Sequence, residues 1–244
     1  GGVTFQLDLT QNNFMGTGNR VKAALSRSET RDSYSLGYTD PYFTENGVSQ
    51  GLSAYYRETK YDDRNVSNYV TDSYGATLNY SYPVDETKRV SAGLNVDNTS
   101  VRGGRFLGVS NVQQIIDDGG SFENFTGDFE GRTGFKNDYQ TYNLLFGWDY
   151  STLDRPVFPT KGMSHTVDAT IGLGDANYQK LVYQGNVYYP LYKDLVARGY
   201  TKLGYGNDLP FYENFYAGGY GSVRGYEAST LGPKSQGYFD AINS

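Results

Sequence analysis

The stretch Tyr74-Gly75-Ala76-Thr77-Leu78-Asn79-Tyr80-Ser81-Tyr82 alternates without a break. Tyr74, Ala76, Leu78, Tyr80 and Tyr82 fall on one side, Gly75, Thr77, Asn79 and Ser81 on the other. Successive side chains of a strand point to opposite faces, so the stretch reads as a β-strand with one apolar face and one small, polar face. The same period of two recurs at Val3, Phe5, Leu7 and Leu9, then at Val21, Ala23 and Leu25, and at Tyr34, Leu36 and Tyr38. It returns at Val90, Ala92, Leu94 and Val96, at Tyr142, Leu144, Phe146, Trp148 and Tyr150, and at Val167, Ala169, Ile171 and Leu173. There are about ten such runs, most near the ~9 to 11 residues that a tilted strand needs to cross a bilayer.

Composition agrees with an all-β chain. Among 244 residues there are 25 Tyr, 1 Trp and 31 Gly, with an apolar fraction of only 37%. Strands and turns favour that mix and soluble helical domains do not. A mean hydropathy of -0.61 is compatible with a membrane barrel, in which every second strand residue faces a polar lumen. No window holds the ~18 consecutive apolar residues of a spanning helix. A net charge of -6 without clustered Lys or Arg argues against nucleic acid as a partner. The absence of Cys excludes thiol catalysis and Cys-based metal sites. The start at Gly1-Gly2-Val3 has no signal-peptide pattern and reads as an internal cut or a mature end.

An apolar strand face can be the core of a sandwich or the lipid face of a barrel, and the connections bear on the choice. Tight turns are expected at Gly16-Thr17-Gly18, Asp40-Pro41, Tyr82 to Asp85, Arg155 to Gly162, and Tyr189-Pro190. Longer polar linkers are expected at Ser28 to Asp32, Tyr61 to Ser73, Thr99 to Asn137, and Gly174 to Tyr178. Strict alternation of short and long connections would place them on opposite rims, as in an antiparallel up-and-down transmembrane β-barrel. Tyr42, Phe43, Tyr80, Tyr82, Tyr188 and Tyr189 at strand ends suit interfacial girdles. Val112, Ile115 and Ile116 break the pattern with helical spacing, which predicts a short helix in the longest loop, folded over the barrel mouth.

Catalytic chemistry has little to build on, so no enzyme, cofactor or metal is expected. The single His, His165, alternates with Met163 and Val167 on an apolar row near a strand start, a position that suits the membrane interface better than an active site. Asp62-Asp63 and Asp117-Asp118 read as solvated loop charge, without EF-hand spacing. Gly218-Gly219-Tyr220-Gly221 lacks the Gly-Lys-Ser/Thr of a phosphate loop. The stretch Pro210 to Lys234 is the informative one, with Phe211, Tyr212, Phe215, Tyr216, Tyr220 and Tyr226 spaced by glycines around Arg224. Aromatics of that size favour burial. Tucked back into the lumen, the loop would bury them and bring Arg224 to a lumenal carboxylate; an exposed ligand-binding loop is the other reading.

Asn214-Phe215-Tyr216-Ala217-Gly218-Gly219, followed by Ser222-Val223-Arg224-Gly225-Tyr226 and Leu231-Gly232-Pro233-Lys234, resembles the sixth-loop signature of the BamA family of outer-membrane barrels. TamA and two-partner secretion transporters are relatives. Supporting pieces lie upstream in order: Gly16-Thr17-Gly18, Asp40-Pro41-Tyr42-Phe43, Leu153-Asp154-Arg155 and Phe158-Pro159-Thr160-Lys161-Gly162. The resemblance implies about ten of sixteen barrel strands, running from the second strand into the sixth loop. Residues 207–244 would be that loop, truncated, and the POTRA domains and terminal strands would lie elsewhere. It implies that Val223, Arg224, Gly225 and Tyr226, supported by Asn214, Phe215, Tyr216, Gly218 and Gly219, anchor an infolded loop, with Arg224 meeting acidic residues outside this chain. It also implies a bacterial outer-membrane insertase. Its partners would be unfolded outer-membrane protein clients, accessory lipoproteins and outer-membrane lipid, and clients would fold by strand addition at a seam between the first and last strands. A translocation barrel of the TamA or two-partner type is the alternative, distinguished by the number of POTRA domains upstream.

Overall fold

The computed structural model describes residues 3–61, 69–103, 109–124, 133–193 and 195–210. Its strands are β1 (Phe5–Gln11), β2 (Arg20–Arg27), β3 (Arg31–Asp40), β4 (Ser49–Tyr61), β5 (Tyr69–Pro83), β6 (Lys88–Gly103), β7 (Ser121–Asn124), β8 (Thr133–Ser151), β9 (Gly162–Gly174), β10 (Tyr178–Tyr192) and β11 (Leu195–Asn207). A helix, α1 (Val109–Asp117), precedes β7. The strands form one sheet in the order β1-β2-β3-β4-β5-β6-β8-β9-β10-β11, each antiparallel to its neighbours. Short β7 pairs with the part of β8 that β9 does not reach. Apart from β7, neighbours in sequence are thus neighbours in the sheet, an up-and-down meander.

Register turns the alternation into two continuous surfaces. Val21, Tyr38, Leu52, Leu78, Leu94, Leu144 and Ile171 stand opposite one another along one row of the outer face. Leu25, Tyr34, Tyr56 and Tyr74 form a row above it. Tyr82, Val90, Trp148, Val167, Tyr183 and Leu203 form a row below. Among the described residues no second layer covers this face: Leu36 is 58% exposed and Phe146 48%. A sandwich would have closed over such side chains, so the apolar surface is built for hydrocarbon. The opposite surface carries Ser53, Thr77, Asn95, Asn143 and Gly172, small or polar side chains along one row.

Three sequence expectations need correction. Connection lengths do not alternate strictly: residues 28–30 and 175–177, on the loop rim, are shorter than residues 12–19, 41–48 and 152–161 on the turn rim. Up-and-down pairing alone sorts connections to the two rims, whatever their length. Tyr189-Pro190 is not a turn, because β10 continues to Tyr192 with a register shift between Pro190 and Tyr192. An irregularity at a strand end accommodates a residue that has no N–H to give the ladder. Finally, β5, β6 and β8 extend well into stretches that read as loop, as far as Tyr69, Gly103 and Thr133. Their outer face becomes charged there, which erases the apolar alternation while the backbone ladder continues.

Candidate functional site

The polar wall is held by side chains that span strands. Asn95 Nδ2 lies 3.1 Å from Tyr55 Oη, 3.2 Å from the Ala76 carbonyl and 2.9 Å from Thr77 Oγ1. Its own Oδ1 accepts from Asn143 Nδ2 at 2.8 Å, and Asn143 Oδ1 accepts from the Tyr178 hydroxyl at 3.0 Å. Tyr55 also donates to Asp97, whose other oxygen accepts from Thr99 at 2.6 Å, and Thr99 meets Ser73 at 2.9 Å. A buried polar group without a partner costs about 1–3 kcal/mol, and this network connects those it contains across β4, β5, β6, β8 and β10.

Two tyrosines reach across a glycine to join it. Tyr55 stands opposite Gly75, and Gly75 opposite Asp97. A Cβ on Gly75 would sit 2.7 Å from Tyr55 Oη and 2.3 Å from the Val96 carbonyl oxygen. Tyr178 likewise crosses Gly172 to reach Asn143, with its ring 2.2 Å from where a Gly172 Cβ would be. Glycine is required at both positions for close approach, not for turning. Sequence reading placed Gly75 on the polar face; pairing a given tyrosine with a given glycine needs the register.

At the loop rim, α1 closes onto the inner wall, as its spacing predicts. Val112 and Ile115 are buried with Val101, Phe135, Tyr139, Ala176 and Tyr178, and Leu209 packs against them. Ile116, read as part of the same face, is 46% exposed. Asp118 is more than solvated charge, since its carboxylate accepts from the Tyr139 hydroxyl at 2.8 Å. Asp62 and Asp63 lie outside the described residues.

The turn rim is aromatic. On the outer face Trp148 stacks on Tyr150 at 6.1 Å, Tyr150 on His165 at 6.0 Å and His165 on Tyr183 at 5.9 Å, with His165 Nδ1 2.7 Å from the Tyr183 hydroxyl. His165 therefore occupies the interfacial position expected of it. Among the described residues no group of three or more His, Asp or Glu is placed to hold a metal ion. Below the girdle, two carboxylates lock turns. Asp154 accepts from the Thr160 hydroxyl and amide and the Lys161 amide, which hold it far below the usual carboxylate range. Asp85 accepts from the Thr87 hydroxyl and amide and from Lys88, which bring it down to about 2. A carboxyl depressed by folding stabilises the fold above its unfolded value of about 4, and that contribution is lost as pH falls through the folded value. The Asp85 carboxyl is therefore expected to stay ionised in the folded protein at pH 3 to 4 by carbon-detected NMR; titration near 4 would show that the turn is not locked.

The loop residues singled out in the sequence, Asn214, Phe215, Tyr216, Gly218, Gly219, Val223, Arg224, Gly225 and Tyr226, lie outside the described residues. The functional surface on view is the wall itself: hydrocarbon-facing outside, hydrogen-bonded and polar inside, with a helix over one mouth and an aromatic girdle at the other.

Such a wall defines an outer-membrane-type β-barrel, and the chain belongs to the Omp85 superfamily, whose domain model matches residues 13–242. It is similar to the outer membrane protein assembly factor BamA of Neisseria meningitidis serogroup B, at 33% identity over 96% of this chain and 29% of that protein. The BamA of Nitratidesulfovibrio vulgaris is 25% identical over 96% of this chain and 28% of its own length. Among solved structures, BamA from Haemophilus ducreyi lacking POTRA domains 1-3 superposes with a TM-score of 0.82 at 28% identity, covering 96% of this chain and 46% of that one. The chain thus spans less than a third of these full-length relatives.

Proposed function

We propose that this chain is barrel wall from an outer-membrane assembly factor, an insertase that folds client β-barrel proteins into the bacterial outer membrane by strand templating. The observation that carries the reading is the agreement of ten consecutive paired strands with the BamA barrel over nearly the whole chain. In hydrocarbon each unsatisfied backbone group costs several kcal/mol, so a strand edge exposed there captures another strand through main-chain hydrogen bonds. That chemistry needs neither a catalytic side chain, nor a metal, nor a cofactor. The partners are unfolded outer-membrane proteins, accessory lipoproteins of the assembly machinery and outer-membrane lipid.

Reconstituting the full-length protein in liposomes with a urea-denatured barrel client tests this. Client is expected to become protease-protected and heat-modifiable. Release of a dedicated passenger into the liposome lumen, without client insertion, would favour the translocation-barrel alternative. Within the same proposal Arg224 anchors the sixth loop with Val223, Gly225 and Tyr226, supported by Asn214, Phe215, Tyr216, Gly218 and Gly219. Removing one member of a buried charged pair costs about 3–5 kcal/mol. Arg224→Ala in the full-length protein should therefore lower both heat resistance and client insertion, and a variant unchanged in both would refute that role.

A further inference from the structure

The strands that continue past the tyrosine row do so with charge on their lipid-facing side. Arg27, Asp32, Glu58, Asp72, Ser100 and Asp138 are consecutive cross-strand partners from β2 to β8. All lie on the outer face, two residues beyond Leu25, Tyr34, Tyr56, Tyr74, Asn98 and Gln140, or about 7 Å along the strand. Arg102 and Lys136 are partners one further step out. Ion pairs hold the row together: Arg27 to Asp32 at 3.4 Å, Arg102 to Asp72 at 2.6 Å and Lys136 to Asp138 at 3.7 Å. On a soluble barrel such a band would be ordinary solvated surface. Here it directly follows an uncovered apolar belt, at the depth where a bilayer's polar headgroups begin.

We infer that this outward collar is a docking surface for phosphate-bearing lipid headgroups of the leaflet on the loop side, with Arg27, Arg102 and Lys136 as the phosphate ligands. The inference rests on the outer face meeting lipid and deepens that part of the proposed function. Guanidinium and ammonium groups recognise phosphate oxygens through charge-assisted hydrogen bonds. The interleaved carboxylates Asp32, Asp72 and Asp138 hold those cations along the row. They would repel phosphates whose charge is not shared with divalent cations, so retention should depend on Mg²⁺ as well as on the basic residues.

The test uses full-length protein in phosphatidylcholine nanodiscs with a minor fraction of doubly phosphorylated lipid A, followed by extraction and quantification of co-purifying lipid. Against wild type, Arg27→Gln, Arg102→Gln and Lys136→Gln should each reduce retained lipid A about five-fold. Phosphatidylcholine retention and heat-modifiable gel mobility should not change. Lys136→Gln keeps the question decidable if the other variants fail to fold, and Lys136→Arg should restore binding. Chelating Mg²⁺ should lower lipid A retention in the wild type. Equal lipid A retention by a folded Lys136→Gln protein, or displacement by millimolar inorganic phosphate alone, would overturn the inference. Loss of phosphatidylcholine and lipid A together, already in the wild type, would instead refute the hydrocarbon-facing reading on which it rests.

Discussion

Replacing Leu94 by Arg should destabilise the barrel by about 2–4 kcal/mol, the cost of a charge at the bilayer midplane on the lipid face of a barrel. Leu94 sits in the middle of the outer row, between Leu78 and Leu144, with tyrosines above and the Trp148 stack below. The matched substitution on the other surface, Ser53→Arg, changes a lumenal side chain and should stay within about 0.5 kcal/mol of wild type. Urea unfolding of the full-length protein in vesicles, read by heat-modifiable mobility, separates the two. If both variants lose the same stability, the assignment of inner and outer faces is wrong, whatever the fold.

Gly75→Val should be nearly as damaging on the inner face, although it introduces no charge. The new Cβ would meet the Val96 carbonyl oxygen at 2.3 Å and Tyr55 Oη at 2.7 Å. The first of these belongs to the backbone of β6, paired to β5 along its whole length, so it cannot yield as a flexible side chain would. Overpacking of this kind costs about 1–3 kcal/mol. Expelling Tyr55 also strips Asp97 of a donor and leaves Asn95 with fewer partners, which places the expected loss at the upper end, about 3 kcal/mol. A double variant, Gly75→Val with Tyr55→Ala, should recover only part of that loss, since the backbone clash remains. Full recovery would show that the tyrosine alone sets the constraint.

Much of this wall was legible in the amino-acid order. Rows such as Tyr74 to Tyr82 or Tyr142 to Tyr150 announce their faces because strand periodicity is two and hydrocarbon tolerates no exceptions. The helix at Val112 and Ile115 was legible for the same reason, through a different period. What stayed hidden obeys no period. Asp72, Arg102 and Lys136 look like loop because charge on an outer face is forbidden only inside the bilayer, and these residues stand beyond it. Short β7 is too brief to show alternation. Pro190 reads as a turn and is an irregular strand end. The lumenal network depends on which residues stand opposite one another, as Tyr178, Gly172 and Asn143 do, and register is set by the hairpins together rather than by any one segment. The sixth-loop residues around Arg224 lie outside the described residues, and their reading stays a proposal.

The apolar band is not of uniform height. In β2 it runs only from Val21 to Leu25, and in β3 from Tyr34 to Tyr38, with Asp32 and Asp40 closing it at either end. In β8 it runs from Tyr142 to Tyr150. Along the strand that is about 13 Å against about 26 Å. Lipid tails cannot leave a gap, so those beside β2 and β3 must shorten and disorder to match, at a fraction of a kcal/mol per ångström of mismatch. The hydrocarbon beside β2 and β3 is therefore expected to be thinner than the hydrocarbon beside β8.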